Sequence, residues 1–291
     1  MCRHFAYVGE QVSIKSVLLD PPHSLVEQAW APRWQKHGTM NVDGFGVGWY
    51  SAGDPVPARY RRAGPIWSDE CLPDIARVTR TRAMLCAVRS ASVGTDAGAA
   101  AAAPYAEGNW LFSLNGALLG WSAAAGGSTT PRRRTTVLAD SGTASAAPAA
   151  AVLRLAGSLP AAELLRIQAR CDTALLWAMV LARLRAGERP ADALAGTVTG
   201  IWAAGGTGRF NLLLTDGQTI AATAAGDSLC YRHRPDGVIV ASEPPDDDPD
   251  WETVPDASVV EATTSGVAVR PLAPAAAAAA APHRCGDGAR R

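Results

Sequence analysis

The chain has 291 residues, of which 48% are hydrophobic, which is enough to bury a full core in one large domain or two small ones. Its 27 basic and 27 acidic residues cancel to a formal net charge of +0. This balance argues against a strongly charged partner, so neither nucleic acid nor an anionic membrane surface is expected to bind.

The cysteines indicate ordinary reduced thiols. Six are scattered along the chain without CxxC spacing and without a paired Cys/His pattern, so we expect no metal site and no cofactor. The first residues lack the long apolar stretch of a signal peptide, and no apolar run has the length of a membrane span. These features predict a cytoplasmic protein.

Strand and helix patterns alternate in the first half of the chain. Ser24 and Glu27 have the spacing of a capping box, which predicts that a helix begins at Ser24. The other elements predicted here are a strand over 5–8, a turn over 41–46 with a strand over 47–50, a helix over 68–79 and a strand over 84–88.

The second half returns from helices to strands. A strand over 110–114 is predicted to end at Asn115-Gly116, a strong turn dipeptide, with 117–120 pairing back. Residues 122–150 are rich in Ala, Gly, Ser and Thr and are predicted to be a low-complexity insertion. Further predictions are helices over 158–170, 172–185 and 192–198, hairpins over 210–223 and 229–241, late strands around Val259 and Val267, and a disordered alanine-rich tail over 273–291. This order predicts an α+β fold in which two sheets lie between helix layers, as one domain over 2–272.

A cysteine at position 2 is the strongest candidate for chemistry. If Met1 is removed, Cys2 carries both a thiol and a free α-amine, whose reference pKa values are about 8.5 and about 7.7–8.0. The amine can then act as the base for its own thiol, directly or through a water. The alternative is an ordinary N-terminal cysteine.

Three further features suggest a site, and each has a simpler explanation. Asn115-Gly116 offers an amide N–H2 and a backbone N–H, as an oxyanion hole requires, or is a plain hairpin turn. Arg89 follows an apolar strand and can hold a carboxylate in a bidentate fork, or forms a surface ion pair. Asp172 opens an apolar helix and can bind an ammonium group, or caps that helix.

Together these features resemble the class II glutamine amidotransferase family, in the order nucleophile, carboxylate clamp, oxyanion hole, ammonium clamp. The resemblance covers roughly residues 2–272 and implies a four-layer αββα N-terminal-nucleophile hydrolase fold. It implies that Cys2 attacks a γ-carbonyl. The motifs that carry it are Met1-Cys2-Arg3-His4, Asp43-Gly44-Phe45-Gly46-Val47-Gly48-Trp49, Ala87-Val88-Arg89-Ser90-Ala91-Ser92, Phe112-Ser113-Leu114-Asn115-Gly116 and Asp172-Thr173-Ala174-Leu175-Leu176-Trp177.

The resemblance also assigns the substrate contacts. It implies that Asn115 and Gly116 stabilise the oxyanion, that Arg89 and Ser92 bind the glutamyl α-carboxylate, and that Asp172 binds the α-ammonium group. Only a small-molecule γ-glutamyl substrate is implied as a partner, and the sequence leaves the oligomeric state open.

Three motifs place the chain near the γ-glutamyl hydrolase branch of ergothioneine biosynthesis: Pro21-Pro22-His23-Ser24-Leu25, Arg59-Tyr60-Arg61-Arg62 and Ala241-Ser242-Glu243-Pro244. The branch implies hydrolysis of γ-glutamyl-hercynylcysteine S-oxide to glutamate and hercynylcysteine S-oxide. Two positions depart from it: Leu114 stands where relatives usually have His, and alanines precede Pro104 where relatives often have Asn. The alternatives are a glutaminase subunit that supplies ammonia to a synthase, and a non-catalytic binding protein of the same fold.

Overall fold

A long strand at the start of the chain lies in the middle of the first sheet. The structure is a computed structural model and describes residues 2–92, 94–125 and 146–272. Strand β1 (Cys2–Ser13) pairs antiparallel with both of its neighbours. The other strands of this sheet are β2 (Gly44–Trp49), β3 (Ala58–Arg62), β4 (Arg80–Arg89), β9 (Cys230–Arg234), β10 (Gly237–Ala241) and β11 (Glu252–Thr253). Their order is β11-β9-β10-β1-β4-β2-β3, so early and late strands of the chain lie side by side in one sheet.

The second sheet is built mainly from the later part of the chain. Its strands are β5 (Tyr105–Glu107), β6 (Trp110–Leu118), β7 (Gly208–Thr215), β8 (Ile220–Ala224), β12 (Ser258–Thr263) and β13 (Gly266–Pro271). They lie in the order β13-β12-β8-β7-β6-β5 and pair antiparallel throughout.

Helices cover the outer faces of the two sheets. Helices α1 (Ile14–Leu18), α2 (Leu25–Trp30) and α3 (Leu72–Val78) pack on the first sheet. The later helices are α4 (Trp121–Ala124), α5 (Ala146–Gly157), α6 (Ala161–Leu164), α7 (Asp172–Arg185) and α8 (Pro190–Ala203). Of these, α5, α7 and α8 pack on the second sheet through a core that includes Phe112 and Phe210.

The strand period of two explains the layering. Along β1, Phe5 and Tyr7 face the helices of the first sheet, whereas Ala6 and Val8 face the second sheet. Both faces of β1 are therefore apolar, which is why its sequence lacks a simple alternation. The chain has the predicted α+β architecture, a four-layer αββα sandwich.

Local signals with a short-range cause are confirmed. Helix α2 begins after Ser24, whose hydroxyl accepts the Glu27 N–H at 3.4 Å. Strands β7 and β8 form the first predicted hairpin, and β9 and β10 form the second.

The predicted turn at Asn115-Gly116 is wrong. Strand β6 continues through both residues to Leu118, because β7 pairs with it along that whole length, with Asn115 opposite Asn211. The glycine serves close packing instead: a Cβ at Gly116 would lie 2.0 Å from the Arg209 carbonyl oxygen.

Several other predicted boundaries are also wrong. The helix predicted over 158–170 is reduced to α6. Its predicted end is not helical because Asp96 binds the backbone of Arg170 on both sides, accepting its N–H at 2.7 Å and donating to its carbonyl at 3.1 Å. Helix α3 begins at Leu72 and not at residue 68, because the Asp69 carboxylate accepts the Leu72 N–H at 2.8 Å. Within the predicted insertion over 122–150, both ends are helical, in α4 and α5. Residues 126–145 and the predicted tail over 273–291 lie outside the described residues.

Candidate active site

Cys2 is the first residue of β1, at the end of the first sheet. It lies opposite Arg89 in the register between β1 and β4, and Gly44 of β2 is the next residue across. The Cys2 side chain is half-buried and its thiol is free. The N-terminal position predicted to be the nucleophile is therefore aligned by pairing with the strand that carries the predicted carboxylate clamp.

Asn115, which lies in the second sheet, forms a hydrogen bond with Cys2 in the first sheet. The Cys2 backbone nitrogen donates to Asn115 Oδ1 at 3.3 Å, and Asn115 Nδ2 donates to Ser242 Oγ at 3.4 Å. Ser242 also accepts the His4 N–H at 3.1 Å. These bonds join the two sheets at the end where Cys2 lies, and Gly116 follows Asn115 along β6.

Arg89 ends β4 with its side chain 7% exposed. Its Nη2 donates to Thr95 Oγ1 at 2.9 Å and to the Asp96 carbonyl at 2.8 Å. Its Nη1 is buried and has no hydrogen-bond partner in the described part of the chain. An unpaired guanidinium nitrogen in a buried position is costly unless a ligand or water satisfies it, so this arrangement suits an incoming carboxylate. Ser92 lies in the same loop, where its carbonyl oxygen accepts the Thr95 hydroxyl at 2.7 Å.

Asp172 joins the end of β6 to the start of α7. One carboxylate oxygen accepts the Thr173 N–H at 2.9 Å, and the other accepts the Leu118 N–H at 3.0 Å. Burial raises the pKa of Asp172, while these N–H groups and the Arg89 charge oppose the rise. The carboxylate therefore stabilises the start of α7, and because a carboxylate has about four lone-pair sites, it keeps capacity to accept from a ligand.

A recess with an empty volume of about 260 Å³ lies between the sheets at this end. The structure brings Cys2 and Arg89 together in its lining, with Leu114 beside Asn115 and Thr173 beside Asp172. The remaining lining residues are Ala87, Val88, Ala101, Ala103 and Ser113. Asn115, Gly116, Ser92 and Asp172 stand behind or beside this lining and do not form it. We refer to this space as the glutamyl recess.

The residues around His4 belong to the site, and the sequence analysis quoted them within motifs without assigning them a role. His4 Nδ1 and Ser113 Oγ, which lines the recess, lie 3.0 Å apart. Burial, with a smaller effect of the neighbouring Arg3 charge, lowers the pKa of His4 to about 3, so the imidazole is neutral at physiological pH. The motif around Ser242 was a signal in the sequence, but its function depends on the distant Asn115.

Arg3 faces the opposite side of the first sheet. Its side chain is fully buried, with Nε 3.9 Å from Glu243 Oε2. Glu243 in turn accepts His23 Nε2 at 3.0 Å and the Arg33 N–H at 3.2 Å, and it also accepts the Trp34 N–H. This buried carboxylate fixes the 33–34 backbone next to the end of β10.

The described residues contain neither a metal-binding cluster nor a membrane-spanning helix. No group of His, Cys, Asp and Glu among them is arranged to hold a metal ion. The acidic run after β10 is paired with arginines: Asp247 with Arg33, Asp246 with Arg232, and Asp248 with Arg232 and Arg234. No helix among the described residues is long and apolar enough to cross a membrane.

Comparison with known proteins identifies the family. No protein-family model matches the chain. The γ-glutamyl-hercynylcysteine sulfoxide hydrolase of Mycobacterium tuberculosis is 36% identical over 272 residues, which cover 94% of this chain and 97% of that protein. The hydrolase of the same name from Mycolicibacterium smegmatis is 37% identical, over 94% of this chain and 100% of that protein. The chain belongs to the γ-glutamyl-hercynylcysteine sulfoxide hydrolase family.

Solved structures agree at the level of the fold. A glutamine aminotransferase class-II domain protein from Silicibacter pomeroyi superposes with a TM-score of 0.62 at 23% identity, over 94% of this chain and 100% of that chain. Glutamine phosphoribosylpyrophosphate amidotransferase from B. subtilis gives a TM-score of 0.59 at 14% identity, and this chain covers 49% of it. This chain thus shares its fold with class II glutamine amidotransferases, as the motifs predicted.

Proposed function

We propose that this protein hydrolyses the γ-glutamyl amide bond of γ-glutamyl-hercynylcysteine S-oxide, releasing glutamate and hercynylcysteine S-oxide. The observation that carries the proposal is the shared recess of Cys2 and Arg89, in which a buried guanidinium nitrogen of Arg89 has no hydrogen-bond partner among the described residues. The names of the mycobacterial relatives support the same reaction.

In the proposed reaction, removal of Met1 exposes the α-amine of Cys2. This amine takes the thiol proton while the sulfur attacks the γ-carbonyl carbon. The tetrahedral intermediate collapses to a thioester as the amine of hercynylcysteine S-oxide leaves with a proton. Water then attacks the thioester, releasing glutamate and restoring the thiol.

We assign the oxyanion to the Asn115-Gly116 pair. Asn115 Nδ2 uses one hydrogen for Ser242, so its second hydrogen is the side-chain donor in this proposal, together with the Gly116 N–H. The fixed bonds of Asn115 to both Cys2 and Ser242 support this role, because a donor held in place before reaction needs no reorganisation.

We assign recognition of the glutamyl head to Arg89, Ser92 and Asp172. Arg89 Nη1 would take the α-carboxylate, and a free lone pair on Asp172 would take the α-ammonium. Ser92 would close the carboxylate site from the loop that Thr95 anchors. These contacts define a free amino acid head, which all γ-glutamyl amides share.

Trp34 is our candidate for contact with the leaving half of the substrate. It lines two open clefts of about 730 and 760 Å³, both of which also contain Arg33 and Thr253. Its indole face suits the trimethylammonium group of the hercynyl half. Tyr105, in contrast, is fully buried, with its hydroxyl 3.1 Å from Cys171 Sγ.

The decisive experiment compares kcat/KM for the hercynyl conjugate, for γ-glutamylcysteine and for glutamine, using protein in which mass spectrometry has verified removal of Met1. We expect the hercynyl conjugate to be preferred, because binding energy from its leaving half is available to the transition state. Equal or better turnover of glutamine would overturn the substrate assignment in favour of an ammonia-supplying glutaminase. No turnover of any γ-glutamyl amide would favour a non-catalytic binding protein.

We further propose that residues 2–272 act as one catalytic domain in the cytoplasm. The mixing of early and late strands within the first sheet supports a single domain. The five described cysteines are all free thiols, which supports a reducing compartment.

A further inference from the structure

One side of the glutamyl recess is lined by alanines, whose side chains form no hydrogen bonds that could hold them in position. Residues 99–103 are five consecutive alanines, which we call the alanine wall, and Ala101 and Ala103 line the recess. Only a short 3-10 turn, Ala99–Ala101, occurs within it. Because alanine side chains cannot form hydrogen bonds, the position of the wall depends on what binds its backbone carbonyl groups.

Arg61 of the edge strand β3 binds those carbonyl groups. Its Nη1 donates to the Ala100 carbonyl at 3.2 Å and to the Ala102 carbonyl at 3.1 Å. Arg59, two residues earlier on the same face of β3, donates to the Pro104 carbonyl at 3.4 Å. The wall is therefore attached to the first sheet mainly through guanidinium groups.

The alanine wall packs closely against strand β2, which restricts movement of the wall toward the first sheet. The wall crosses β2 at Gly46, which pairs with Arg61, and a Cβ at Gly46 would lie 2.2 Å from the Ala103 carbonyl oxygen. The same Cβ would lie 2.9 Å from Arg61 Cγ. Arg61 thus has two separable contacts: its aliphatic stem packs on β2, and its charged end holds the wall.

Arg61 is also linked to the start of α7 through Tyr105. Its guanidinium carbon lies 6.0 Å from the centre of the Tyr105 ring, and the Tyr105 hydroxyl lies 3.1 Å from Cys171 Sγ. Cys171 is the residue before helix α7, which brings Asp172 and Thr173 to the site. A displaced Arg61 would therefore disturb both the alanine wall and the start of α7, near which the glutamyl head is proposed to bind.

We propose that Arg61 is a positioning residue for glutamyl recognition, holding the alanine wall and the start of α7 at the spacing that admits a glutamyl head. This inference rests on the proposed function of the recess. Arg61 itself touches neither the reacting atoms nor Cys2, so its loss should weaken binding of the glutamyl head without slowing the chemical step.

The test measures alkylation of Cys2 by the diazoketone analogue of glutamine, which has the glutamyl head and no leaving half. Sulfur attack on its diazo-bearing carbon forms a C–S bond, and N2 leaves with uptake of a proton, so the mass of the protein reports the reaction. Arg61→Met keeps the stem and removes the donors. We expect its KI to rise by about 10- to 100-fold, as a displacement of the order of 1 Å can cause, with kinact unchanged.

Two further variants separate positioning from folding. Arg62→Met on the same strand is the matched control, because Arg62 is exposed and lies over the Tyr60 ring beside Asp69 instead of against the wall. It should leave both constants unchanged. Arg61→Lys, which can still donate to a carbonyl group, should recover part of the lost affinity.

Labelling of Cys2 by iodoacetamide, which has no glutamyl head, should proceed at the parent rate in all three variants. The inference is overturned if Arg61→Met has the parent KI, if it changes kinact instead, or if iodoacetamide labelling slows equally. Failure of the diazoketone to label the parent protein, while iodoacetamide labels it, would instead count against the proposed function of the recess.

Discussion

Replacing Arg89 with lysine tests the proposed carboxylate clamp most directly. In the parent protein the two terminal nitrogens of the guanidinium have different roles. Nη2 donates to Thr95 and Asp96, and Nη1 remains available for the substrate. The lysine ammonium is a single donor centre on a straight stem. The ammonium group can donate to Thr95 and Asp96 or to the substrate carboxylate, but it cannot bind both from one position.

The size of the effect follows from the lost contact. A hydrogen bond to a charged partner contributes about 1.5–3 kcal/mol, and each 1.4 kcal/mol is a factor of ten in an equilibrium constant. Arg89→Lys should therefore raise KM for a γ-glutamyl substrate by roughly 10- to 150-fold. The effect on kcat should be small, because the α-carboxylate is remote from the bond that breaks.

The assay is steady-state release of glutamate, with two controls. Thr95→Val removes one anchor of the guanidinium and keeps the guanidinium itself, so its KM should rise less than that of Arg89→Lys. A substrate analogue without the α-carboxylate should bind the parent and Arg89→Lys equally, which closes a thermodynamic cycle. An unchanged KM in folded Arg89→Lys, or an equal penalty with the decarboxylated analogue, would refute the clamp.

Three further outcomes are expected. Cys2→Ala should abolish glutamate release with little change in Tm, and an uncleaved N-terminal extension on the parent should do the same; full activity with the extension would exclude the α-amine as base. Asp172→Asn should raise KM and lower the free energy of unfolding by about 1–3 kcal/mol, because an amide N–H2 then faces a backbone donor; an unchanged KM would remove Asp172 from the ammonium site. Burial lowers the pKa of His4 from 6.5 to about 3. Between these two pH values the unfolded chain binds a proton at His4 and the folded chain does not, so the free energy of unfolding should fall by up to about 4–5 kcal/mol as the pH drops from 6.5 to about 3. Chemical denaturation of His4→Gln should show a flatter pH dependence there, and a slope identical to the parent's would show that His4 is not the group responsible.

The candidate site could be predicted in part because its chemistry depends on residue type and position in the chain. The position of Cys2 in the chain is enough to suggest its role, because removal of Met1 would leave a free α-amine on the residue that carries the thiol. Arg89 follows an apolar run, and strand pairing does bring it opposite Cys2. Ser242 and Arg61 both lie in motifs that the sequence analysis noted, but their roles could not be predicted, because each acts on atoms far away in sequence: the Asn115 amide for Ser242 and the carbonyl groups of the alanine wall for Arg61.

Elements whose causes lie within a few residues could be read from the amino-acid sequence: the capped start of α2, the two C-terminal hairpins and the apolar strands over 5–8 and 84–88. The other elements depend on contacts between distant parts of the chain. Asn115-Gly116 would be a turn on local preference alone, but pairing with β7 across nearly a hundred residues keeps it extended. At the predicted end of the helix over 158–170, Arg170 is bonded to Asp96 instead. In both cases contacts between distant segments outweigh a local preference of about 1 kcal/mol.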